Sequence, residues 1–492
     1  MNWENTVVKL NVKTNDIDFD SPLNMYSIYG SSGTGFFITT KFILTCYHVV
    51  KYAMNIEVIY KQTNSLSCKI KYIFPDDDLA ILELDECIDD IVLLDFKIIK
   101  NKTDINEVYT IGFPLGSNNI ISTKGIISGF QQSKIQTDAA LNSGNSGGPL
   151  VINDLHNNKW YFIGINVSKI TGNAEKTGFC IPVYRFLILK NYIEKYNITD
   201  IVINKPIWDF DYQTIKQPEL AKLLYNNNLE YIKKKIGIRI SAINKLSYLY
   251  KYLQENDIII SINNRTIDSN GFIKFDFYPD KISIKDVHLW FTPNHKLKIN
   301  ILKYKNSELN GGAINMITLN KIQSLFIKDS NLLEKQSLFI KDSNLLEKQS
   351  LFIKDSNLLE KPLINLNIEL KYYNKNLFNF YLLDKYPSYY IENNNLILSI
   401  ITKDHLEKIL SLNLSIEQII KITSRFLYKQ DLFTIYLSDV NSKIYNKFNK
   451  YPIGEIIIEI DDQLYNNYEE FIAITNKPIK KIKTIDNKIF FV

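Results

Sequence analysis

Cysteine is scarce in this chain: Cys46, Cys68, Cys87 and Cys180 are all it has in 492 residues. None forms a C-x-x-C pair, and four are too few to staple a chain of this length. A disulfide scaffold is excluded, and a reducing compartment is the default expectation. The four also lack metal-ligand spacing, so no metal site is expected of them, and Cys46 reads as a small hydrophobe. Long apolar runs are missing too; none approaches the roughly 18 residues of a membrane span. Charge of one sign is not in excess, with 58 Lys and Arg against 53 Asp and Glu. No basic stripe interleaves with aromatics, so nucleic acid is not an expected ligand. The opening residues, MNWENTVVKLNVKTND, carry neither an apolar leader nor the Arg-rich, acid-poor character of a transit segment. The compartment expected is the cytoplasm.

What is present suits folded units. Apolar residues make up 45% and aromatic residues 13%, enough for large cores. The length exceeds what one core usually supports and predicts roughly three or four units. From about Thr6 to Tyr184 short β-type runs such as GTGFFITTKFILT, DLAILEL and KWYFIGINVS alternate with Gly, Asn and Asp clusters, an all-β texture. From about Asn204 helix-like ELAKLLYNNNLEYIKKK and strand-like DIIISINNRTI mix, which predicts α+β modules. Between Gln323 and Lys361 the thirteen-residue unit QSLFIKDSNLLEK occurs three times without a difference. Thirteen is neither a whole number of helical turns nor an even count, so successive copies cannot keep one face on a core. An exposed spacer within a linker is expected.

The densest chemical signal is Asn142 to Leu150, a glycine-rich turn around Ser146. A serine hydroxyl is a poor nucleophile at neutral pH and needs an imidazole to take its proton. His48, directly after the apolar run Phe42 to Cys46, is the candidate. The imidazole in turn needs a carboxylate on its other nitrogen, and Asp78 opens the apolar run Leu79 to Leu82. In acyl transfer to such a serine, the amides of Gly144 and Ser146 would hold the oxyanion that forms. His156, His288, His295 and His405 have no comparable frame and read as structural or solvated.

Eight motifs in order, GTGFFI, LTCYHVV, DDLAIL, IGFPLG, TKGIISG, TDAALNSGNSGGPL, FIGIN and GFCIP, resemble those of the Deg/HtrA proteases. Farther on, Leu253 to Asn264 resembles the PDZ core of that family, and Asp384 to Ile391 with Ile456 to Phe471 resembles the divergent second PDZ-like module of plant-type members. Three departures stand out. Tyr47 occupies a position where the family carries a small residue, and Asn256 and Asn264 replace PDZ glycines, which Asn tolerates best among other residues. The stretch Ile207 to Tyr212, where the carboxylate-binding loop is expected, has no glycine and two acids. Its aromatics, Trp208, Phe210 and Tyr212, fit either an interface or the module's own core.

The resemblance implies a mainly β chain: a trypsin-like double β-barrel serine protease domain over 1–200, a PDZ domain over 201–318, a repeat linker over 319–361 and a PDZ-like domain over 362–492. It implies an ATP-independent serine endopeptidase with the triad His48, Asp78 and Ser146, protein or peptide substrates, no metal or other cofactor, and a homo-oligomer of trimers or their multiples. Ala140, Leu141, Ile165 and Val167 would line the first substrate pocket by the same analogy, apolar and modest because no acid stands at Ala140. The rival expectation is a peptide-binding scaffold or holdase whose protease domain is catalytically silent.

Overall fold

The computed structural model describes residues 2–15, 28–101 and 107–303, short stretches at 132, 155–156, 158, 170–176, 207, 217–235 and 244–246 excepted, then 363–371. Beyond these it describes strands at 390–393, 396–400, 433–438 and 445–446 and residues 455–492 except 466–467 and 486. The repeats between Gln323 and Lys361 lie outside the described residues, as do His156 and His405.

The first unit is a closed barrel of β1 (Val7–Asn15), β2 (Ile28–Phe37), β3 (Phe42–Cys46), β4 (Ala53–Tyr60), β5 (Asn64–Phe74) and β6 (Leu79–Leu84), in the order β1-β2-β3-β6-β5-β4. Period-two patterning closes it: Ile56, Val58 and Tyr60 of β4 point inward while their neighbours face out. Every residue of β6 is buried, Glu83 included, and three lysines answer that carboxylate, Lys41 and Lys71 at 3.2 Å and Lys69 at 3.6 Å.

The second sheet takes in β7 (Asp95–Phe96), β8 (Val108–Gly112), β9 (Ile121–Gly125), β10 (Ile127–Gln131), β11 (Lys134–Thr137), β12 (Pro149–Asp154), β13 (Lys159–Lys169) and β14 (Gly178–Pro182). Its order is β10-β11-β14-β13-β12-β8-β9, with β7 beside β13. Unlike the first, this sheet does not close among the described residues. Phe36, Phe162, Ile165 and Ile181 belong to the core that joins the two sheets, which sets their facing loops together. Helix α2 (Val183–Tyr196) then crosses back over the first barrel, burying Phe186, Leu189 and Tyr192.

The chain next runs along β5, with a parallel bridge between Ile73 and Val202, and enters a sheet of β15 (Phe210–Thr214), β16 (Ile238–Ile243), β17 (Ile258–Ile262), β18 (Arg265–Thr266), β21 (Lys296–Leu302) and β22 (Leu363–Glu369), with a hairpin of β19 (Phe272–Lys274) and β20 (Lys281–Ser283) beside it. Strand β22 corrects the expected boundaries. It pairs residue for residue with β21, from Lys296 opposite Glu369 to Leu302 opposite Leu363, and Ile368 and Leu370 are buried in this unit's core. The unit therefore extends past 318 and past 361, and the repeats are inserted between two adjacent strands rather than between two domains. The aromatics before β16 are core as well: Trp208, Phe210 and Tyr212 pack on the same cluster, and the Trp208 indole donates to the Ile284 carbonyl at 2.8 Å.

The last sheet holds β23 (Tyr390–Asn393), β24 (Leu396–Ile400), β25 (Phe433–Ser438), β26 (Tyr445–Asn446), β27 (Ile456–Ile460), β28 (Gln463–Leu464), β29 (Lys481–Thr484) and β30 (Ile489–Phe491), with helix α3 (Tyr468–Thr475). Ile456, Ile458 and Ile485 extend the core of the first unit.

Candidate active site

His48 follows β3 on one turn of helix, α1 (Tyr47–Val50), and Asp78 ends a tight turn over Pro75–Asp77. Asp78 has φ of +54°, a left-handed conformation that Asp tolerates better than most residues. That twist lets it meet His48 twice. Its Oδ1 accepts from the His48 backbone N–H at 2.9 Å, and its Oδ2 stands 2.7 Å from the ring Nδ1. The Asp78 carbonyl also accepts from the Tyr47 N–H at 3.0 Å. Tyr47 itself is buried. A carboxylate on Nδ1 fixes the tautomer that leaves Nε2 free to accept a proton.

The turn carrying Ser146 is clamped from two sides. From β13, the Gly147 N–H donates to the Asn166 carbonyl and the Asn166 N–H to the Gly148 carbonyl, both at 2.8 Å. From β2, Thr34 holds it: its N–H donates to the Ser146 carbonyl at 2.9 Å and its hydroxyl to the Gly144 carbonyl at 2.6 Å, while its own carbonyl accepts from the Thr45 hydroxyl at 2.8 Å. Glycine is required at two places. Gly144 (φ +94°) would set a Cβ 2.3 Å from the Phe113 carbonyl oxygen, and Gly147 (φ +86°) one 2.1 Å from that of Thr34. The N–H groups of Gly144 and Ser146 are given to no backbone carbonyl among the described residues, whereas those of Asn145, Gly147 and Gly148 are.

The hydroxyl of Ser146 donates to the Val167 carbonyl at 2.5 Å, and among the described residues it makes no hydrogen bond with His48. The Ser146 hydroxyl is thus directed at β13. Of the residues expected in the substrate pocket, Ala140 is exposed and its carbonyl accepts from the Thr123 hydroxyl at 2.8 Å. Leu141 and Val167 are buried, and Ile165 is sealed in the core between the sheets. The structure thus brings the Val167 backbone to Ser146 but gives the Ile165 side chain to the interior.

Two further groups support the site. Asp77, next to the triad carboxylate, is buried between two cations, Arg185 of α2 and Lys205 of the segment leading to β15. The Arg185 Nε donates to Asp77 Oδ1 at 2.6 Å, and the Lys205 ammonium stands 2.9 Å from Oδ2 as an ion pair without hydrogen-bond alignment. Asp76 adds its side chain, which accepts from the Lys205 N–H at 2.8 Å, and its carbonyl, which accepts from Arg185 at 3.2 Å. Desolvation holds the Lys205 pKa below the usual lysine value. The second group is Cys46, immediately behind His48. Its thiol donates to the Asn166 carbonyl at 3.2 Å, and burial, then the Asp78 charge, push its pKa well up. Thr34, Cys46 and Asp77 lie inside the motifs GTGFFI, LTCYHVV and DDLAIL, but the ion pairs between residues 77, 185 and 205 leave no spacing pattern to read.

A closed barrel joined to a second sheet, with a His–Asp pair and a clamped glycine-rich serine turn facing each other between them, defines a trypsin-like serine peptidase domain. A family model described as a trypsin-like peptidase domain matches residues 33–165. Among curated relatives, Protease Do-like 4, mitochondrial, of Arabidopsis thaliana is 28% identical over 295 residues, covering 54% of each chain. The Serine protease DegP homolog of Plasmodium falciparum is 29% identical over 264 residues, 48% of this chain and 28% of that one. The chain spans about half the length of the first curated relatives it matches. A solved structure of the HtrA-type protease AlgW with a tripeptide is 23% identical, with a TM-score of 0.45 over 61% of this chain and 90% of that one. The match over residues 33–165 and these relatives make the chain similar to the Deg/HtrA serine proteases.

Proposed function

We propose that the chain is an ATP-independent serine endopeptidase that cuts unfolded or specific protein substrates through an acyl-enzyme. The observation that carries this reading is the Asp78 carboxylate at 2.7 Å from His48 Nδ1, which readies the opposite ring nitrogen to take the Ser146 proton. Ser146 Oγ would attack the scissile carbonyl, and His48 would pass the proton to the leaving amine. The N–H groups of Gly144 and Ser146 would hold the oxyanion, each worth about 100- to 1,000-fold in turnover. Water activated by the same imidazole would then release the acyl group. The first substrate pocket would be apolar, since Ala140 offers no carboxylate to a cation, and would prefer Val, Ile, Ala or Leu before the cut. Within the same reading the unit around β15–β22 is a PDZ domain, the last sheet a divergent PDZ-like domain, and the assembly a cytoplasmic homo-oligomer of trimers or their multiples.

One observation favours a second reading, a scaffold or holdase with a silent protease domain: the Ser146 hydroxyl is bonded to the Val167 carbonyl, away from His48. Incubation with casein, beside a Ser146→Ala control, separates the two. Cleavage abolished in the control, by on the order of a million-fold, supports the peptidase; cleavage equal in both, or absent from both, overturns it.

A further inference from the structure

We infer that Cys46, His48 and Asp78 form an inhibitory site for a soft divalent cation, zinc by chemistry, built into the back of the triad. This inference takes the catalytic role of His48 from the proposed function. The side chains of the three residues offer one sulfur, one ring nitrogen and one carboxylate oxygen that all lie within 4.8 Å of one another. His48 Nδ1 and Asp78 Oδ2 are 2.7 Å apart. Donors of a tetrahedral zinc, bound at about 2.0 to 2.3 Å, stand roughly 3.3 to 3.8 Å from each other. The nitrogen and oxygen must therefore part by roughly half an ångström, and the sulfur, within 4.8 Å of both, must close by up to about 1 Å, a movement for side-chain torsions.

The ligand set is chemically matched. Thiolate, imidazole and carboxylate are the zinc donors of proteins, and three of them leave a fourth position for water. Charge balances as well. A dication against one thiolate and one carboxylate is neutral, which a site with a fully buried sulfur requires. The thiol now donates to the Asn166 carbonyl at 3.2 Å, a bond that it would give up as the sulfur takes the metal. On the solvent side, the half-exposed His48 and the partly exposed Asp78 side chains give the cation a way in.

The proton count explains why binding would inhibit. The Cys46 thiol gives up its proton to solvent as its sulfur takes the metal. His48 loses the Nδ1 proton to solvent as that nitrogen takes the metal and gains one at Nε2, so the net release is one proton per cation, that of the thiol. Nε2 then carries the hydrogen that it must lack in order to accept one from Ser146. The cation would lock the imidazole in the wrong tautomer without touching the nucleophile.

The test uses the full chain. Cobalt(II), a spectroscopic stand-in for zinc, is titrated into Ser146→Ala, which keeps all three ligands. The expected result is a thiolate-to-cobalt charge-transfer band that saturates, is displaced by zinc, and is lost in Ser146→Ala with Cys46→Ser. A missing band, or one that survives Cys46→Ser, overturns the inference. In the active chain zinc should inhibit and magnesium should not, and Cys46→Ser should raise the half-inhibitory zinc concentration about tenfold or more, as loss of a ligand does. Equal inhibition of both proteins overturns the inference also. Cys46→Ala is the second variant, and thermal melts of each establish that the fold is kept. If the chain has no peptidase activity but the band is present and depends on Cys46, the proposed function fails and the metal site stands.

Discussion

Asp77 is the perturbation with the most to say about how the triad is held. It is buried with both of its cations: Asp77, Arg185 and Lys205 are 2%, 2% and 3% exposed. Asp77→Asn removes the carboxylate and leaves two positive charges in the interior beside the turn that presents Asp78. Breaking a buried pair in this way costs about 3 to 5 kcal/mol. For a unit of roughly 200 residues each kcal/mol moves the melting temperature by about 2 to 4 °C, so a fall of roughly 6 to 20 °C is expected. Lys205→Met is the informative partner. It deletes an ammonium that desolvation already disfavours and leaves the Arg185–Asp77 bond intact, so its cost should be well below that of Asp77→Asn. Lys190→Met serves as the surface control, because its 3.9 Å contact with Glu194 is exposed on both sides and worth less than about 1 kcal/mol. Turnover should follow the same order, since a displaced Asp78 turn misaims the imidazole, with up to about 100-fold lost in Asp77→Asn. Calorimetry with a peptidase assay reads both. Melting of Asp77→Asn no lower than that of Lys190→Met, or equal losses for Asp77→Asn and Lys205→Met, would refute the reasoning.

The other expectations are narrower. Burial raises the Asp209 pKa to about 6, so the folded state holds that proton more tightly than the unfolded chain does. Its stabilisation is complete below the ordinary aspartate value of about 3.9 and is lost as pH rises through about 6. Asp209→Asn should flatten that part of the stability curve, read by melts across pH, and equal slopes would contradict it. Gly144→Ala should cost at least about 100-fold in turnover, because the strained backbone and the contact with Phe113 displace an oxyanion donor; unchanged kinetics would remove the donor from the mechanism. Cleavage sites mapped by mass spectrometry should follow small aliphatic residues, and dominant cleavage after Arg or Lys would contradict the Ala140 argument. Deletion of one copy of QSLFIKDSNLLEK shortens a connection between strands that are already paired from Leu302 to Leu363. Loop closure costs only about 0.6 kcal/mol per doubling of length, so the melting temperature should hardly move, and a fall of many degrees would place the repeats in a core.

The sequence discloses the parts of this fold whose signal is local. Period-two patterning in β4, the apolar run of β6 and the glycines around Ser146 each say what one segment must do, and the structure has them doing it. It does not disclose pairings across long separations. The boundary expected at 361/362 fails for that reason. Leu363–Glu369 alternates like any half-buried strand, and nothing within it names β21, with the repeats in between, as its neighbour. The aromatics of Trp208 to Tyr212 stayed ambiguous for a related reason, because an interface and a core ask for the same side chains, and only the contacts with the cluster around Ile238 and Trp290 distinguish them.

The site divides along the same line. His48, Asp78 and Ser146 are candidates from motif frames, each in a short run that can be read without knowledge of its neighbours. The groups that hold them, Thr34 across from the serine turn and Arg185 and Lys205 around Asp77, act through single contacts that span more than a hundred residues. Their arrangement has a consequence for how the site is governed. Lys205 belongs to the segment that leaves the first unit for β15, where Ile203 donates to the Ile73 carbonyl at 2.9 Å, and its ammonium ends beside the carboxylate next to Asp78. Tyr184, at the start of α2 one residue before Arg185, stacks on Phe277 of the following unit at 4.6 Å. Arg185 is thus carried by a helix in contact with that unit, and Lys205 by the segment that leads into it. The same unit also reaches the sheet that bears Ser146, through the Trp290 indole on the Ser133 hydroxyl at 3.1 Å and the Tyr278 hydroxyl on the Lys134 carbonyl at 3.1 Å, so a displacement of it would act on both sides of the site.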